Sequence, residues 1–218
     1  MQPPASVLVC FAVEDEACYL RKNLPPVNPC KILITGIGRR NSERTFRAAL
    51  TTSRPSLVLS SGFAGGLDPD LETGAILFEA APESLLSASL LAFGARPGRF
   101  HCADQIAATA DAKRKLRESS GADAVEMESG IIRGICAQGN IPAVTIRVIS
   151  DSAQEDLPLD FNHLMTADQR LNYVKLAWHL AKSPGTVAKL LVFRRTIAAC
   201  ARNLAAALNH ALQGFRSE

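Results

Sequence analysis

Three acidic segments of the chain lie where apolar, strand-like runs end. Glu14–Glu16 comes directly after the run Ser6–Val13. Asp151 comes closely after the run Ala143–Ile149, and the segment Ala124–Ser129 (AVEMES) places two glutamates around a methionine. Because ligands bind at the carboxyl ends of strands in open α/β sheets, we expect these acids to share a site. Partial enclosure raises carboxyl pKa values toward the range in which such groups act as general acids or bases.

Each acidic segment has a chemical interpretation and a structural one. Asp151 is placed to act as a general acid in a dry site, or as the N-cap of a helix. Glu14–Glu16 supplies carboxylates to a site, or the acids that favour a helix N-terminus. In Ala124–Ser129, a carboxylate can accept both hydroxyls of a ribose diol while the thioether packs on the sugar face.

Two glycine-rich segments could supply backbone N–H groups to a ligand. Ser60–Gly66 (SSGFAGG) is too rich in glycine for a helix, and its N–H groups could face an anion or a sugar hydroxyl. It matches neither the P-loop nor the dinucleotide-binding pattern, so a tight turn without a ligand is the alternative. In Thr35–Arg40, the side chains of Arg39 and Arg40 could meet phosphate or only solvent.

The elements that must position these groups alternate between strands and helices. Apolar, β-rich runs predict strands at Ser6–Val13, Lys31–Thr35, Leu57–Ser60, Ala75–Glu79 and Ala143–Ile149. Helix formers with apolar residues at helical spacing predict helices at Arg40–Ser53, Ala110–Ser119 and Met127–Gln138. This alternation predicts an α/β fold in which helices cover both faces of a sheet.

The C-terminal part of the chain differs in structure and in charge. Residues 166–182 and 186–213 read as two helices separated by the turn signal Ser183–Gly185. Residues 170–218 carry eight lysines and arginines against one acid, Glu218. The tail lacks the interleaved aromatic residues of a nucleic-acid platform, so we expect a solvated basic face, with an anionic membrane as the alternative partner. With no linker before it, we predict one domain over 1–218 with a helical, basic extension over about 166–218.

Composition excludes several other classes of protein. The chain has 218 residues, of which 47% are hydrophobic, and no apolar stretch approaches the roughly 20 residues that span a bilayer. The six cysteines form no CxxC pair, and the four histidines have no metal-ligand spacing. We therefore predict a cytoplasmic protein without disulfides, metal or dinucleotide cofactor.

Taken in order, four motifs resemble the nucleoside phosphorylase and nucleosidase superfamily, and most closely the methylthioadenosine/S-adenosylhomocysteine nucleosidases. The motifs are Ala12–Glu16, Ser61–Leu67, Ala124–Ser129 and Arg147–Asp151, and the resemblance runs from about residue 6 to 155. It implies a single-domain mixed central sheet flanked by helices. The short middle of the chain and its basic tail look more like the hopanoid-associated phosphorylase branch, whose proposed substrate is an adenosyl lipid.

The resemblance also implies catalytic roles. Asp151 would protonate N7 of a purine, which makes the base a neutral leaving group, and Ser150 would orient it. Glu128 would bind the ribose hydroxyls and Met127 would pack against the ribose. Glu16 would activate the attacking water. Carboxylates near the sugar stabilise the positive charge that develops as an N-glycosidic bond breaks.

The remaining implied contacts line the pocket for the nucleoside. Ala64 and Gly65 would lie against the sugar, and Gln105 and Ile106 belong to a segment that would contact the base through backbone groups. Phe63 stands where the nucleosidases usually have a small polar residue, so we expect a different pocket shape on the 5′ side of the sugar.

The nucleophile and the assembly remain open at this stage. Water is favoured, because a carboxylate at Glu16 would repel phosphate by about 4 kcal/mol per charge pair at about 4 Å and an effective dielectric of about 20. Phosphorolysis, with phosphate as co-substrate held by Arg39, Arg40 or a partner-subunit arginine, is the alternative. A catalytically silent nucleoside-binding module is a third hypothesis. The superfamily resemblance implies a homodimer.

Overall fold

The computed structural model describes residues 6–24, 30–81, 84–166, 168, 175 and 185–216. The first predicted helix of the tail, over 166–182, falls almost entirely outside the described residues. The second one, predicted at 186–213, is confirmed as a long helix over Gly185–Arg216.

Eight strands and seven helices are found among the described residues. The strands are β1 (Val7–Phe11), β2 (Cys30–Ile34), β3 (Leu57–Gly66), β4 (Ile76–Glu79), β5 (Arg96–Pro97), β6 (Phe100–Cys102), β7 (Ala124–Glu126) and β8 (Ala143–Asp151). The helices are α1 (Glu14–Asn23), α2 (Gly38–Thr52), α3 (Leu85–Phe93), α4 (Ala110–Ser120), α5 (Ser129–Gln138), α6 (Phe161–Leu164) and α7 (Gly185–Arg216).

The strands form one mixed sheet, which confirms the predicted fold class. Its main order is β2-β1-β3-β8-β4-β5, in which β2, β1, β3 and β8 run parallel and β4 is antiparallel to β8. Strand β7 adds to the far end of β3 in the antiparallel sense and pairs in parallel with β6. The ends of β1, β3, β7 and β8 consequently meet in one region.

Helices cover both faces of this sheet. On one face, α1, α3 and the C-terminal half of α7 pack on the sheet, and Leu204 and Leu208 of α7 are fully buried there. On the other face, Phe46 of α2 and Ile132 of α5 pack against Val58 of β3. The helix α7 therefore belongs to the main core through its C-terminal half. Among the described residues, no helix is both long and apolar enough to cross a membrane.

The glycine-rich segment Ser60–Gly66 is part of a strand and not the tight turn that was one alternative for it. Strand β3 continues from the predicted end at Ser60 through Gly66, because β8 offers a parallel partner along nearly the whole segment. Its glycines leave room for buried side chains to cross the strand. A Cβ on Gly62, which has φ +148°, would lie 2.5 Å from Glu16 Oε1 and would collide with the guanidinium of Arg147.

Candidate active site

A cavity of about 1010 Å³ lies where β1, β3, β7 and β8 end. The three predicted acids Glu16, Glu128 and Asp151 all line it, although they come from three separate parts of the chain. Each of the three residues is nearly buried, with 5 to 7% of its surface exposed. The fold thus brings together the acids that the strand-end argument predicted.

All ten candidate site residues line this cavity. They are Glu16, Phe63, Ala64, Gly65, Gln105, Ile106, Met127, Glu128, Ser150 and Asp151. The two arginines considered for phosphate, Arg39 and Arg40, are exposed and do not line the cavity. Arg44, one turn further along α2, lies at its edge instead.

Glu16 is held by three backbone donors, two directly after β1 and one within β3. Helix α1 begins at Glu14, directly after β1, so that the side chain of Glu16 turns back toward the sheet. Its Oε2 accepts from the N–H groups of Ala12 (2.8 Å) and Val13 (3.1 Å), and its Oε1 accepts from Phe63 N–H (2.8 Å). Glu16 therefore stands in the first turn of a helix and also lines the cavity. Burial raises the pKa of Glu16, while Arg147 and the three N–H donors oppose that rise.

Arg147 forms the centre of a buried charge cluster beneath the cavity. Its Nη2 lies 2.5 Å from Glu126 Oε2 and 3.6 Å from Glu128 Oε2. Glu126 also accepts from the N–H groups of Glu128 (2.9 Å) and Ser129 (2.7 Å). Burial alone would raise the pKa of Glu126, but Arg147 and these donors hold it below its ordinary value. Glu126 is therefore the ionised partner of Arg147.

Glu128 has a different environment from Glu126. Its Oε1 accepts from Gly38 N–H at 2.8 Å, at the start of α2. Burial raises the pKa of Glu128 to about 7, with Arg147 opposing the rise and the charges of Glu126 and Glu16 adding to it. Near neutral pH this carboxyl can accept or donate a hydrogen bond at the cavity wall.

Asp151 ends β8 with both carboxyl oxygens engaged. Oδ1 lies 2.5 Å from the hydroxyl of Ser150, which also contacts the carbonyl oxygen of Ala64 at 3.2 Å. Oδ2 lies 2.5 Å from the ammonium group of Lys113, a residue of α4 that is fully buried. The Asp151 carboxyl is therefore held from two sides, at the end of a strand that is itself paired on both edges.

The segment around Ile106 is bonded to a neighbour from α6. Asn162 accepts from Ile106 N–H (3.0 Å) through Oδ1 and donates to the Ile106 carbonyl (2.8 Å) through Nδ2. Both backbone groups of Ile106 are thus occupied by a side-chain amide. A base could contact the Ile106 N–H only after displacing Asn162, whereas the carbonyl oxygen keeps a second lone pair.

Comparisons with known proteins agree with this fold. The model of the Phosphorylase superfamily matches residues 78–182. A 5′-methylthioadenosine/S-adenosylhomocysteine nucleosidase from Glaesserella parasuis is 26% identical over 168 residues, covering 62% of this chain and 73% of that protein. The chain is therefore similar to members of the phosphorylase superfamily over part of its length.

Solved structures show the same fold over nearly the whole chain. The nucleosidase from Colwellia psychrerythraea, solved with adenine, has a TM-score of 0.72 at 18% identity and covers 96% of this chain and 95% of its own. Futalosine hydrolase from Helicobacter pylori has a TM-score of 0.69 at 17% identity, covering 96% and 97%. The likeness of fold therefore extends to the C-terminal helix α7.

Apolar side chains from α6 and α7 form one wall of the cavity. Phe161 of α6 and Phe193 of α7 have ring centroids 6.1 Å apart, and Met165 and Ile197 line the cavity beside them. These wall residues are apolar, unlike the acids, and they come from a later part of the chain. It can accommodate an apolar group of a ligand.

Sequence reasoning missed two buried cations near the cavity, Arg147 and Lys113. Arg147 was noted only as part of a motif, yet it is a charged residue within the apolar run Ala143–Ile149, and a buried charge requires a partner. That signal could have identified it. Lys113 carries no such signal, because it stands next to Arg114 and Lys115 in a helix with many charges. Only the structure shows that Lys113 faces inward.

Proposed function

We propose that the chain hydrolyses the N-glycosidic bond of a purine nucleoside, with adenine as the base. The observation that carries this proposal is the convergence of Glu16, Glu128 and Asp151 on one cavity. The three acids are held by different partners, so they can serve as base, sugar ligand and acid respectively. Names of the similar proteins support the reaction class, since they are nucleosidases and a futalosine hydrolase.

In this proposal Asp151 protonates N7 of the base as the bond from C1′ to the base nitrogen breaks. The electron pair of that bond leaves with the base, and the added proton makes the departing base neutral. The contact between Ser150 and Oδ1 orients the carboxyl for this transfer. The position of Asp151 at the cavity wall, with only 7% of its surface exposed, supports this role because a dry site strengthens general acid catalysis.

The sugar side of the reaction belongs to Glu128 and Met127. Glu128 accepts hydrogen bonds from the ribose hydroxyls, and Met127 packs on the sugar face; both residues line the cavity. Positive charge that develops on the ribose is stabilised by the nearby carboxylates.

Water is the nucleophile that Glu16 favours. Glu16 takes a proton from water while the hydroxide adds to C1′, and its raised pKa suits this task. Phosphate at the same place would meet a repulsion of about 4 kcal/mol per charge pair at an effective dielectric of about 20. Phosphate is then not a co-substrate, and the reaction needs no metal or cofactor.

Phosphorolysis is the second candidate, and Arg44 is the observation in its favour. Arg44 lies at the cavity edge and could meet a phosphate dianion. The apolar wall of α6 and α7 is compatible with a bulky 5′ group such as that of an adenosyl lipid. The alternative function is therefore phosphorolysis of a purine nucleoside or of an adenosyl lipid, as in the hopanoid-associated phosphorylase branch.

We further propose a cytoplasmic homodimer that makes peripheral contact with anionic membranes through α7. Val187, Leu191 and Val192 of α7 are 41 to 63% exposed, and they stand beside the exposed cations Lys189 and Arg194. Apolar and basic side chains side by side favour an anionic lipid surface. Sedimentation with vesicles that contain phosphatidylserine tests this contact. Equal binding to these vesicles and to neutral vesicles would contradict it.

The function is tested by measuring adenine release from methylthioadenosine, S-adenosylhomocysteine and adenosine, each with and without phosphate. We expect release without phosphate for at least one of them. The Asp151→Asn variant should lower that release at least about 100-fold, which is the low end for loss of a general acid. Unchanged release by this variant would refute the assignment of Asp151, and no release from any nucleoside by the native chain would contradict adenine nucleoside hydrolysis.

A further inference from the structure

Lys113 is a fully buried lysine that contacts the carboxyl of Asp151 from behind the cavity. Its Nζ lies 2.5 Å from Asp151 Oδ2, and its side chain has no exposed surface. Asp151 lines the cavity, whereas Lys113 does not. Lys113 therefore reaches the site only through Asp151.

The position of Lys113 follows from the way α4 packs. The face of α4 that carries Ala112 and Leu116 packs against Val125 and Leu67, and this turns Lys113 toward the sheet. Lys115, on the opposite side, is 69% exposed and pairs with Asp111. Of the neighbouring lysines, only Lys113 is placed to meet the end of β8.

Glycine in β3 permits this approach. A Cβ on Gly65 would lie 3.3 Å from Asp151 Oδ2 and 3.8 Å from Lys113 Cε. A larger side chain at this position would push into the space where Lys113 and Asp151 meet. Gly65 therefore lines the cavity and also leaves room for the contact between Lys113 and Asp151.

The surroundings of Nζ fit a charged ammonium group. Besides Asp151 Oδ2, the nitrogen donates to the carbonyl oxygens of Ser152 and Glu155, both at 2.7 Å. An ammonium has three protons, one for each of these oxygens, whereas a neutral amine has two. A buried charge that lacked these partners would be costly.

We propose that Lys113 is a positioning residue that orients the Asp151 carboxyl and stabilises the carboxylate formed when Asp151 gives its proton to the leaving base. This inference rests on the proposed role of Asp151 as general acid. Asp151 reacts in its protonated form: the proton of its carboxyl moves to N7, the electron pair of the bond to C1′ leaves with the base, and the negative charge left on Asp151 develops beside the ammonium. A fixed cation placed where charge develops lowers the barrier without reorganisation.

The test is a double-mutant cycle on kcat with the variants Lys113→Met, Asp151→Asn and both together. We expect Lys113→Met to lower kcat about 10- to 100-fold, the scale of losing one preorganised electrostatic partner or of misplacing a reacting group, with KM within about three-fold. In the Asp151→Asn background, the same lysine change should alter kcat less than about two-fold, because Lys113 acts only through the carboxylate. Lys115→Met, a change of the same kind on the exposed side of α4, should leave kcat unchanged.

The outcomes separate this inference from the proposed function. If Asp151→Asn has no effect on kcat, the function assigned to Asp151 fails. If Asp151→Asn lowers kcat but Lys113→Met lowers it equally in both backgrounds, or not at all, Lys113 has only a structural role and the inference is overturned. Activity is normalised to folded protein by circular dichroism. Should Lys113→Met not fold, Lys113→Gln enters the same cycle, because it retains an N–H donor for the Ser152 and Glu155 carbonyls but no charge.

Discussion

Arg147 and Glu126 form an ion pair of 2.5 Å beneath the cavity, and their side chains are 1% and 0% exposed. The pair joins β8 to the end of β7, the two strands that carry Asp151 and lead to Glu128. The same guanidinium lowers the pKa values of Glu16 and Glu128 against the effect of their burial. One cation thus keeps three buried carboxyls compatible with the folded state.

Replacing Arg147 should therefore destabilise the folded protein. Arg147→Met leaves Glu126 without its partner, and we expect the free energy of unfolding to fall by about 3–5 kcal/mol, the range for breaking a buried ion pair. Urea denaturation measures the change. Arg114→Met, which removes an arginine that is 60% exposed and pairs with Asp111 and Glu118, should leave the free energy of unfolding nearly unchanged. Equal losses for the two variants would contradict the buried cluster.

Gly62 should tolerate no side chain. In Gly62→Ala, the new methyl group would meet the Glu16 carboxylate and the Arg147 guanidinium at a backbone angle that favours glycine, so we expect a loss of more than about 1 kcal/mol in unfolding free energy. Gly134→Ala is the matched control, since a Cβ there meets nothing within 4 Å and alanine favours the helix α5 by up to about 1 kcal/mol. Thermal melting of both variants tests whether Gly62→Ala lowers the stability while Gly134→Ala raises it. A Gly62→Ala variant as stable as the native chain would contradict the close approach of Glu16 and Arg147 to Gly62.

Glu128 should make stability depend on pH near neutrality. Its pKa is raised from 4.5 in the unfolded chain to about 7 in the fold, so the folded state binds the proton more tightly. The stabilisation from the bound proton is present at low pH and is lost as pH rises from about 4.5 through about 7, by at most about 1.4 kcal/mol per pH unit. Denaturation between pH 5 and 8 should show this slope, and Glu128→Gln should flatten it. Identical slopes for the two proteins would refute the raised pKa.

Glu16→Gln tests whether Glu16 activates the attacking water. The amide oxygen can still accept from the N–H groups of Ala12 and Val13, while the amide NH2 group then faces the N–H of Phe63. Because an amide cannot take a proton from water, we expect kcat per folded protein to fall at least about 100-fold. Glu118→Gln, at a residue 62% exposed on α4, should keep full activity. If Glu16→Gln retained the native rate without phosphate, another group would have to activate the water.

Much of the fold follows from the sequence because the central strands are long and apolar. The run Ser6–Val13 contains β1, and Ala143–Ile149 lies within β8. Strands β5, β6 and β7 have only two or three residues each, which is too short for a periodic pattern to appear. Their existence depends on pairing with distant strands.

The acids of the site could be predicted, but their supporting partners could not. Strand ends locate Glu16 and Asp151 because position along the chain is enough to place them. The segment Ser60–Gly66 suggested a turn, since the sequence does not reveal that β8 pairs with it or that Glu16 and Arg147 cross at Gly62. Contacts of this kind depend on tertiary structure.

The most direct measurement takes a nucleoside from which the enzyme releases adenine and identifies the sugar product that forms in the presence of phosphate. Adenine and sugar products are quantified by chromatography in the same samples. Hydrolysis driven by Glu16 predicts one equivalent of the free ribosyl sugar for each adenine released, at a rate independent of phosphate. Formation of the sugar 1-phosphate in proportion to adenine, with no release when phosphate is omitted, would contradict the account.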